Sequence, residues 1–132
     1  MCQICLRRTL LVLLLIPMLL GFSASVAAED RFAIAADGEQ VTAEIAKLAG
    51  IAPYFHLYDG SGKLIEVLPN PHLDMEYGIG PAAAATLAEM GVTVLVARKT
   101  PGPKMEDVLV ASGVRIVRRI GTVQDVVDEL RE

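Results

Sequence analysis

The chain has 132 residues and a formal net charge of −4, with 53% hydrophobic residues, no tryptophan, three phenylalanines and three tyrosines. That length supports one domain and not two, and the acidic balance excludes charge-driven, non-specific binding to nucleic acid or anionic lipid. With aromatics scarce, the core has to be built from Val, Ile, Leu and Ala.

Met1 to Thr9 carries Arg7 and Arg8 and no acid, and an apolar run from Leu10 to Phe22 follows, broken by Pro17 and Gly21. This is the pattern of a basic region feeding a hydrophobic region in a secretory leader. At about thirteen residues the run is shorter than the roughly eighteen to twenty a permanent span needs. Pro17 weakens it further as an anchor. The small residues Ser23 to Ala28 then turn abruptly acidic at Glu29 and Asp30, which suits a signal peptidase. Residues 1–28 are therefore expected to be a signal peptide cleaved after Ala27 or Ala28. Residues 29–132 then form the mature domain, periplasmic or secreted and without a permanent membrane span. An uncleaved anchor is the alternative, and the length and flanks of the run disfavour it.

Both cysteines, Cys2 and Cys5, lie in this leader. They are not read as a redox or zinc motif, and no disulfide is expected in the mature fold. A lipoprotein would need a cysteine at the cleavage site, and none is there. Losing Arg7 and Arg8 leaves ten basic against sixteen acidic residues, a net charge of −6.

Along the mature chain, Arg31 to Ala36 is a short apolar run stopped by Asp37-Gly38, the mark of a first strand and its turn. Val41 to Ala49 is compatible with a helical turn or a loop. Pro53 to Tyr58 and Lys63 to Leu68 are β-prone runs joined by Asp59-Gly60-Ser61-Gly62, which predicts a hairpin. From Gly80 the pattern becomes an alternation of helix and strand. Pro81 suits a first helical position, Ala82 to Met90 favour helix, and Gly91 supplies a left-handed cap. Val92 to Ala97 is almost wholly apolar, as a central strand buried on both faces must be. Pro103 opens a second helix through Ser112, Gly113 caps it, and Val114 to Val117 is the next strand. Thr122 with Asp125 three residues on starts a last helix, Val123 to Arg131. The expected order is β-β-β-α-β-α-β-α, an α/β fold with a mixed five-stranded sheet in three layers.

Several segments together resemble the dinitrogenase iron-molybdenum cofactor biosynthesis domain, the family of NifX-like and NafY-like proteins and of the C-terminal part of NifB. They are Ala33-Ile34-Ala35 with Asp37-Gly38, Ala52-Pro53-Tyr54-Phe55 with Tyr58-Asp59, Asn70-Pro71, Gly78-Ile79-Gly80-Pro81, Leu87 to Val92, Gly102-Pro103 and Gly121-Thr122-Val123. The match spans essentially the whole mature chain, and its order and spacing carry more weight than any one segment. The resemblance implies a ribonuclease H-like fold without nuclease activity, and a role in binding or carrying an iron-sulfur or iron-molybdenum cluster. Many members carry His-Phe-Gly just before an Arg-Ala-Pro-Tyr-Phe segment, and that histidine is a plausible cluster ligand. Here the stretch is Leu48-Ala49-Gly50-Ile51-Ala52-Pro53, without a histidine. Together with the loss of both cysteines on processing, this removes the usual soft or imidazole donors for iron. Export is a second departure, because assembly of the nitrogenase cofactor is a cytoplasmic task.

His72 is the candidate metal ligand: it stands in a polar loop with Asp74, Met75 and Glu76, each a donor for a divalent metal or copper ion. A solvated loop histidine beside acids is the plainer alternative. His56 alternates with Tyr54 and Tyr58 on one strand face, where a histidine held by its neighbours is expected. Gly78 and Gly80 precede a helix whose first amides suit an anion, or they simply make a tight turn. Lys99 and Gly102, in the loop Lys99 to Lys104 after the central strand, sit where open α/β sheets place ligands. His72, Gly78, Gly80, Lys99 and Gly102 are accordingly the expected cofactor-binding residues.

The function expected is non-catalytic binding of a metal species, a cofactor or a small anion. A protein partner is possible, and nucleic acid is not expected. The alternatives are an interaction protein that kept the fold and lost the ligand, and a two-metal hydrolase built on Asp37, Asp59 and Asp74.

Overall fold

The computed structural model describes residues 30–132; the expected leader, with Cys2 and Cys5, lies outside the described residues. Five strands and three helices follow one another as β1 (Arg31–Ala36), β2 (Tyr54–Asp59), β3 (Leu64–Pro69), α1 (Ile79–Glu89), β4 (Val94–Ala97), α2 (Pro103–Ala111), β5 (Arg115–Arg118) and α3 (Val123–Arg131). The sheet order is β3-β2-β1-β4-β5. The β1–β2 and β2–β3 pairs are antiparallel, and β1–β4 and β4–β5 are parallel. No helix among the described residues is long and apolar enough to cross a membrane.

Alternation along the central strands builds two cores, because successive side chains point to opposite faces. Ala33, Ala35, Leu95 and Ala97 meet Ala83, Ala84 and Leu87 of α1 and Met105 and Leu109 of α2 on one face. Ile34, Ala36, Val94 and Val96 meet Val123, Val126 and Val127 of α3 on the other. Both β1 and β4 are therefore apolar at consecutive positions. Truncating Leu95, fully buried between these layers, to Ala would cost about 2–5 kcal/mol.

Two helix ends shift the predicted strand starts. Gly91 takes a φ of +80° and Gly113 one of +77°. The valine after each returns its N–H to the helix, Val92 to the Leu87 carbonyl and Val114 to that of Leu109. Those amides are thus unavailable to the sheet, and β4 begins at Val94 and β5 at Arg115. The start of α1 differs too. Gly78, at a φ of +74°, turns the chain into a helix that begins at Ile79, so Pro81 is its third residue and not its first. A proline is tolerated there because first-turn amides have no partner within the helix.

The ambiguous stretch after β1 is neither a regular helix nor a free loop. Single bridges join Ala36 to Ile45 and Glu44 to Thr122, while Val123 and Gln124 donate to the carbonyls of Ala43 and Val41. The segment thus receives the first donors of α3. Ahead of that helix, Thr122 and Asp125 form the reciprocal capping box. His56 is fully buried on the α3 side, its Nε2 2.8 Å from the Gly38 carbonyl.

Candidate functional site

A cleft of about 460 Å³ opens beyond the C-terminal end of β4. Three segments line it: Leu48 to Ile51, whose last three residues form a 3-10 turn, then Gly80-Pro81 in the first turn of α1, and Thr100 to Met105 leading into α2.

Its floor depends on absent side chains. A Cβ on Gly50 would lie 2.9 Å from the Gly80 Cα, and one on Gly80 would lie 3.3 Å from the Met105 Cβ. Glycine at both positions lets the 3-10 turn and α1 touch backbone to backbone, with buried Met105 beneath them. Asn70 holds the turn in place. Its buried amide nitrogen donates to the Ala52 carbonyl at 3.0 Å and to that of Gly50 at 3.3 Å, and its oxygen accepts from the His72 amide at 3.1 Å.

The electrostatics are one-sided. Two helices begin at this cleft, α1 after Gly78 and α2 after Gly102, and neither has a side-chain cap. First-turn amides carry the positive end of the helix dipole. Lys104 adds the sole formal charge among the lining residues, and no carboxylate is there to offset it. The walls are otherwise Leu48, Ile51, Pro81, Pro101 and Pro103. Such a surface suits an anion with a large, weakly hydrated body. Thr100 and Met105 are the only side chains with a neutral donor atom, and no pair suited to proton transfer or nucleophilic attack lines the cleft.

Of the residues picked out in the sequence, Gly80 and Gly102 line the cleft. Gly78 is the residue that turns the chain into α1, and Lys99 is exposed just ahead of the lining loop, where Lys104 supplies the charge instead. His72 is turned along α1. Its Nε2 lies 2.7 Å from the Thr86 hydroxyl, which also lies 3.1 Å from the Ala82 carbonyl. No group of three or more His, Cys, Asp or Glu placed to hold a metal occurs among the described residues. The acids proposed for two-metal hydrolysis do not converge. Asp59 pairs with Arg31 at the start of β1, whereas Asp37 follows the end of that strand, which puts them about 20 Å apart at opposite ends of the sheet.

Leu48, Ile51, Asn70 and Met105 were not among the site residues expected from the sequence, although Leu48 and Ile51 lie in the segment without the family's histidine and Asn70 in a segment that matches the family. Leu48 and Ile51 are each about half exposed, at 53% and 52%. The available signal was the segment's position, where many family members carry a histidine and this chain has Leu48.

A family model described as dinitrogenase iron-molybdenum cofactor matches residues 30–132. Among solved structures, the apo form of the orange protein from Desulfovibrio gigas superposes with a TM-score of 0.70 at 26% identity, covering 79% of this chain and 88% of that one. A Thermotoga protein described as a candidate NifB superposes with a TM-score of 0.63 at 31% identity, covering 75% of this chain and 84% of the other. Among curated proteins none matches. The chain belongs to the dinitrogenase iron-molybdenum cofactor family.

Proposed function

We propose that this protein is an exported, non-catalytic carrier that holds an anionic metal-sulfide cluster in the cleft through charge and shape, without coordinating side chains. The observation that carries this reading is the convergence of two uncapped helix N-termini and Lys104 on an apolar cleft without carboxylates. A cluster that brings its own sulfide ligands needs no thiolate or imidazole from the protein. It does need neutralisation of its charge and cover for its polarisable surface, and first-turn amides, a lysine and proline-rich walls offer both. The family's description, dinitrogenase iron-molybdenum cofactor, favours a cluster over a simple anion.

The segment where many relatives carry a histidine also supports the absence of coordination. Counting back from the shared Gly50, that histidine corresponds to Leu48, which lines the cleft. An alkyl side chain thus stands where an imidazole would face the ligand. We further read the β3-β2-β1-β4-β5 sheet, with two helices on one face and one on the other, as a ribonuclease H-like fold that has lost any acidic metal site.

Titration of purified protein with tetrathiomolybdate, followed by its visible absorption, tests the site. Saturable binding should weaken about tenfold or more in Lys104→Glu and in Ile51→Glu, each of which puts a carboxylate in the cleft. His72→Ala should stay within about twofold, since its imidazole faces Thr86. Equal binding by parent, Lys104→Glu and Ile51→Glu would overturn the placement. No binding of thiomolybdate or of preformed iron-sulfur clusters would favour an interaction protein without a ligand. Export has its own test: the mature chain should start at Ala28 or Glu29 and be released with the periplasm, and a stable form retaining Met1 would refute it.

A further inference from the structure

We propose that the open edge of β5 is a docking site for an extended segment of a partner protein, added to the sheet as a further strand. The segment this edge fits has small β-branched residues at successive positions and acidic residues at the end lying against Arg118 and Arg119.

In β5 the amides of Arg115 and, just past the strand, Arg119 donate to the Thr93 and Ala97 carbonyls on the β4 side. Alternation then turns the backbone groups of Ile116 and Arg118 outward, where the Arg118 carbonyl accepts from Arg119 Nη1 at 2.8 Å, a bond an incoming strand would replace, and β5 is the last strand of the sheet among the described residues. The opposite edge is blunter, since the β2–β3 pair is interrupted by a register shift at Leu57/Tyr58 and β3 ends on Pro69.

Both faces of the β5 edge are incompletely covered. A groove of about 610 Å³ on the α2 side is lined by Val110, Val114 and Ile116 together with Glu106 and Arg115, and one of about 240 Å³ on the α3 side by Phe32, Val117 and Leu130 together with the Arg119 and Glu129 pair. An added strand sends successive side chains to opposite faces, so its successive residues would fill the two grooves in turn. Val110 is 64% exposed on α2, a position that an adjoining strand would cover.

Charge selects the occupant. Arg98, Arg118, Arg119 and the 77%-exposed Ile120 cluster at the C-terminal end of β5. Arg119 reaches Glu129 at 3.1 Å and Arg98 reaches Glu44 only at 4.0 Å, while Arg118 has no ion pair among the described residues. A second copy of β5 is a poor fit. Antiparallel self-pairing centred on Val117 would set Arg115 of each copy against Arg119 of the other, and like charges opposed across strands are unfavourable. Carboxylates at that end of an incoming strand have guanidinium groups to meet.

The cleft on the inner side of α2, at Lys104 and Met105, stays open when this edge is occupied. Docking and cluster binding are therefore separable.

The test uses the mature protein and a fluorescein-labelled peptide of alternating valine and threonine ending in a run of glutamates, prepared with the acids at either end. One orientation should bind saturably by fluorescence anisotropy, with amide shift changes centred on Ile116 to Arg118. Arg118→Glu and Val110→Lys, both at exposed positions, should each weaken binding about tenfold or more with unchanged circular dichroism. Ile116→Pro, which removes an outward amide and spares the β4–β5 ladder, should do the same. A version with lysines in place of glutamates should bind at least tenfold more weakly. Equal binding of the lysine version, shift changes away from β5, or a dimer in sedimentation that Arg118→Glu strengthens would overturn the proposal.

Discussion

Gly50 and Gly80 approach so closely that a Cβ on the first would stand 2.9 Å from the Cα of the second, a distance real Cβ atoms do not keep. The contact joins the 3-10 turn to the first turn of α1 and forms the cleft floor. Gly50→Ala should therefore destabilise by about 1–3 kcal/mol, the usual cost of overpacking against backbone that cannot yield. Gly80→Ala meets the Met105 Cβ at 3.3 Å, an approach relieved by a shift of a few tenths of an ångström, and gains up to about 1 kcal/mol of helix propensity. Urea unfolding of the two variants should rank Gly50→Ala as clearly the worse. The reverse ranking would mean that the turn and not the helix is the part that gives way.

Asn70 is the polar anchor of the same wall. Replacing it with Ala strips the carbonyls of Gly50 and Ala52 of their donor, at a cost of about 1–3 kcal/mol when such groups stay buried. The Asn70→Ala protein should unfold at lower urea and also bind thiomolybdate more weakly, because the turn that lines the cleft loses its tether. Lower stability with unchanged affinity would separate the tether from the site.

Gly91 ends α1 in the left-handed region, with its own N–H bonded to Ala88 and that of Val92 to Leu87. Gly91→Val should cost about 1 kcal/mol or more, since a β-branched side chain is strained at that φ. A melting temperature equal to that of the parent would contradict the cap.

The hairpin turn has an acid-sensitive clasp. The Asp59 carboxylate accepts from the Ser61 hydroxyl at 2.6 Å and from the amides of Lys63 and Ser61, and these bonds, the Ser61 hydroxyl foremost, hold its pKa below the usual carboxylate value. A group with a lowered folded-state pKa contributes stability above its unfolded pKa and loses it as pH falls through the folded one. Urea midpoints measured from pH 6 down to about pH 2 should therefore fall less steeply in Asp59→Asn than in the parent. Parallel curves would show that the clasp adds nothing to the fold.

The local elements were legible in the residues because short-range chemistry sets them. Gly91 and Gly113 mark helix ends by their positive φ, Thr122 and Asp125 write a capping box that forms as written, and Val94 to Ala97 is apolar at every position because it is buried on both faces. Pattern alone could not place strand starts, since whether Val92 and Val114 give their amides to a helix or a sheet depends on the cap geometry. Nor could it place the cleft. The segment Leu48 to Ile51 lies about thirty residues before α1 and fifty before Lys104 in sequence, and only the parallel crossover of β1 and β4 brings all three to one end of the sheet. Gly80 was recognisable at a helix start, where backbone dipoles suit an anion, and Gly102 in the loop after the central strand, where open α/β sheets place ligands. His72 was chosen for its donor chemistry. Its partner Thr86 sits fourteen residues away on the side of α1, and that proximity is a product of packing and not of sequence spacing.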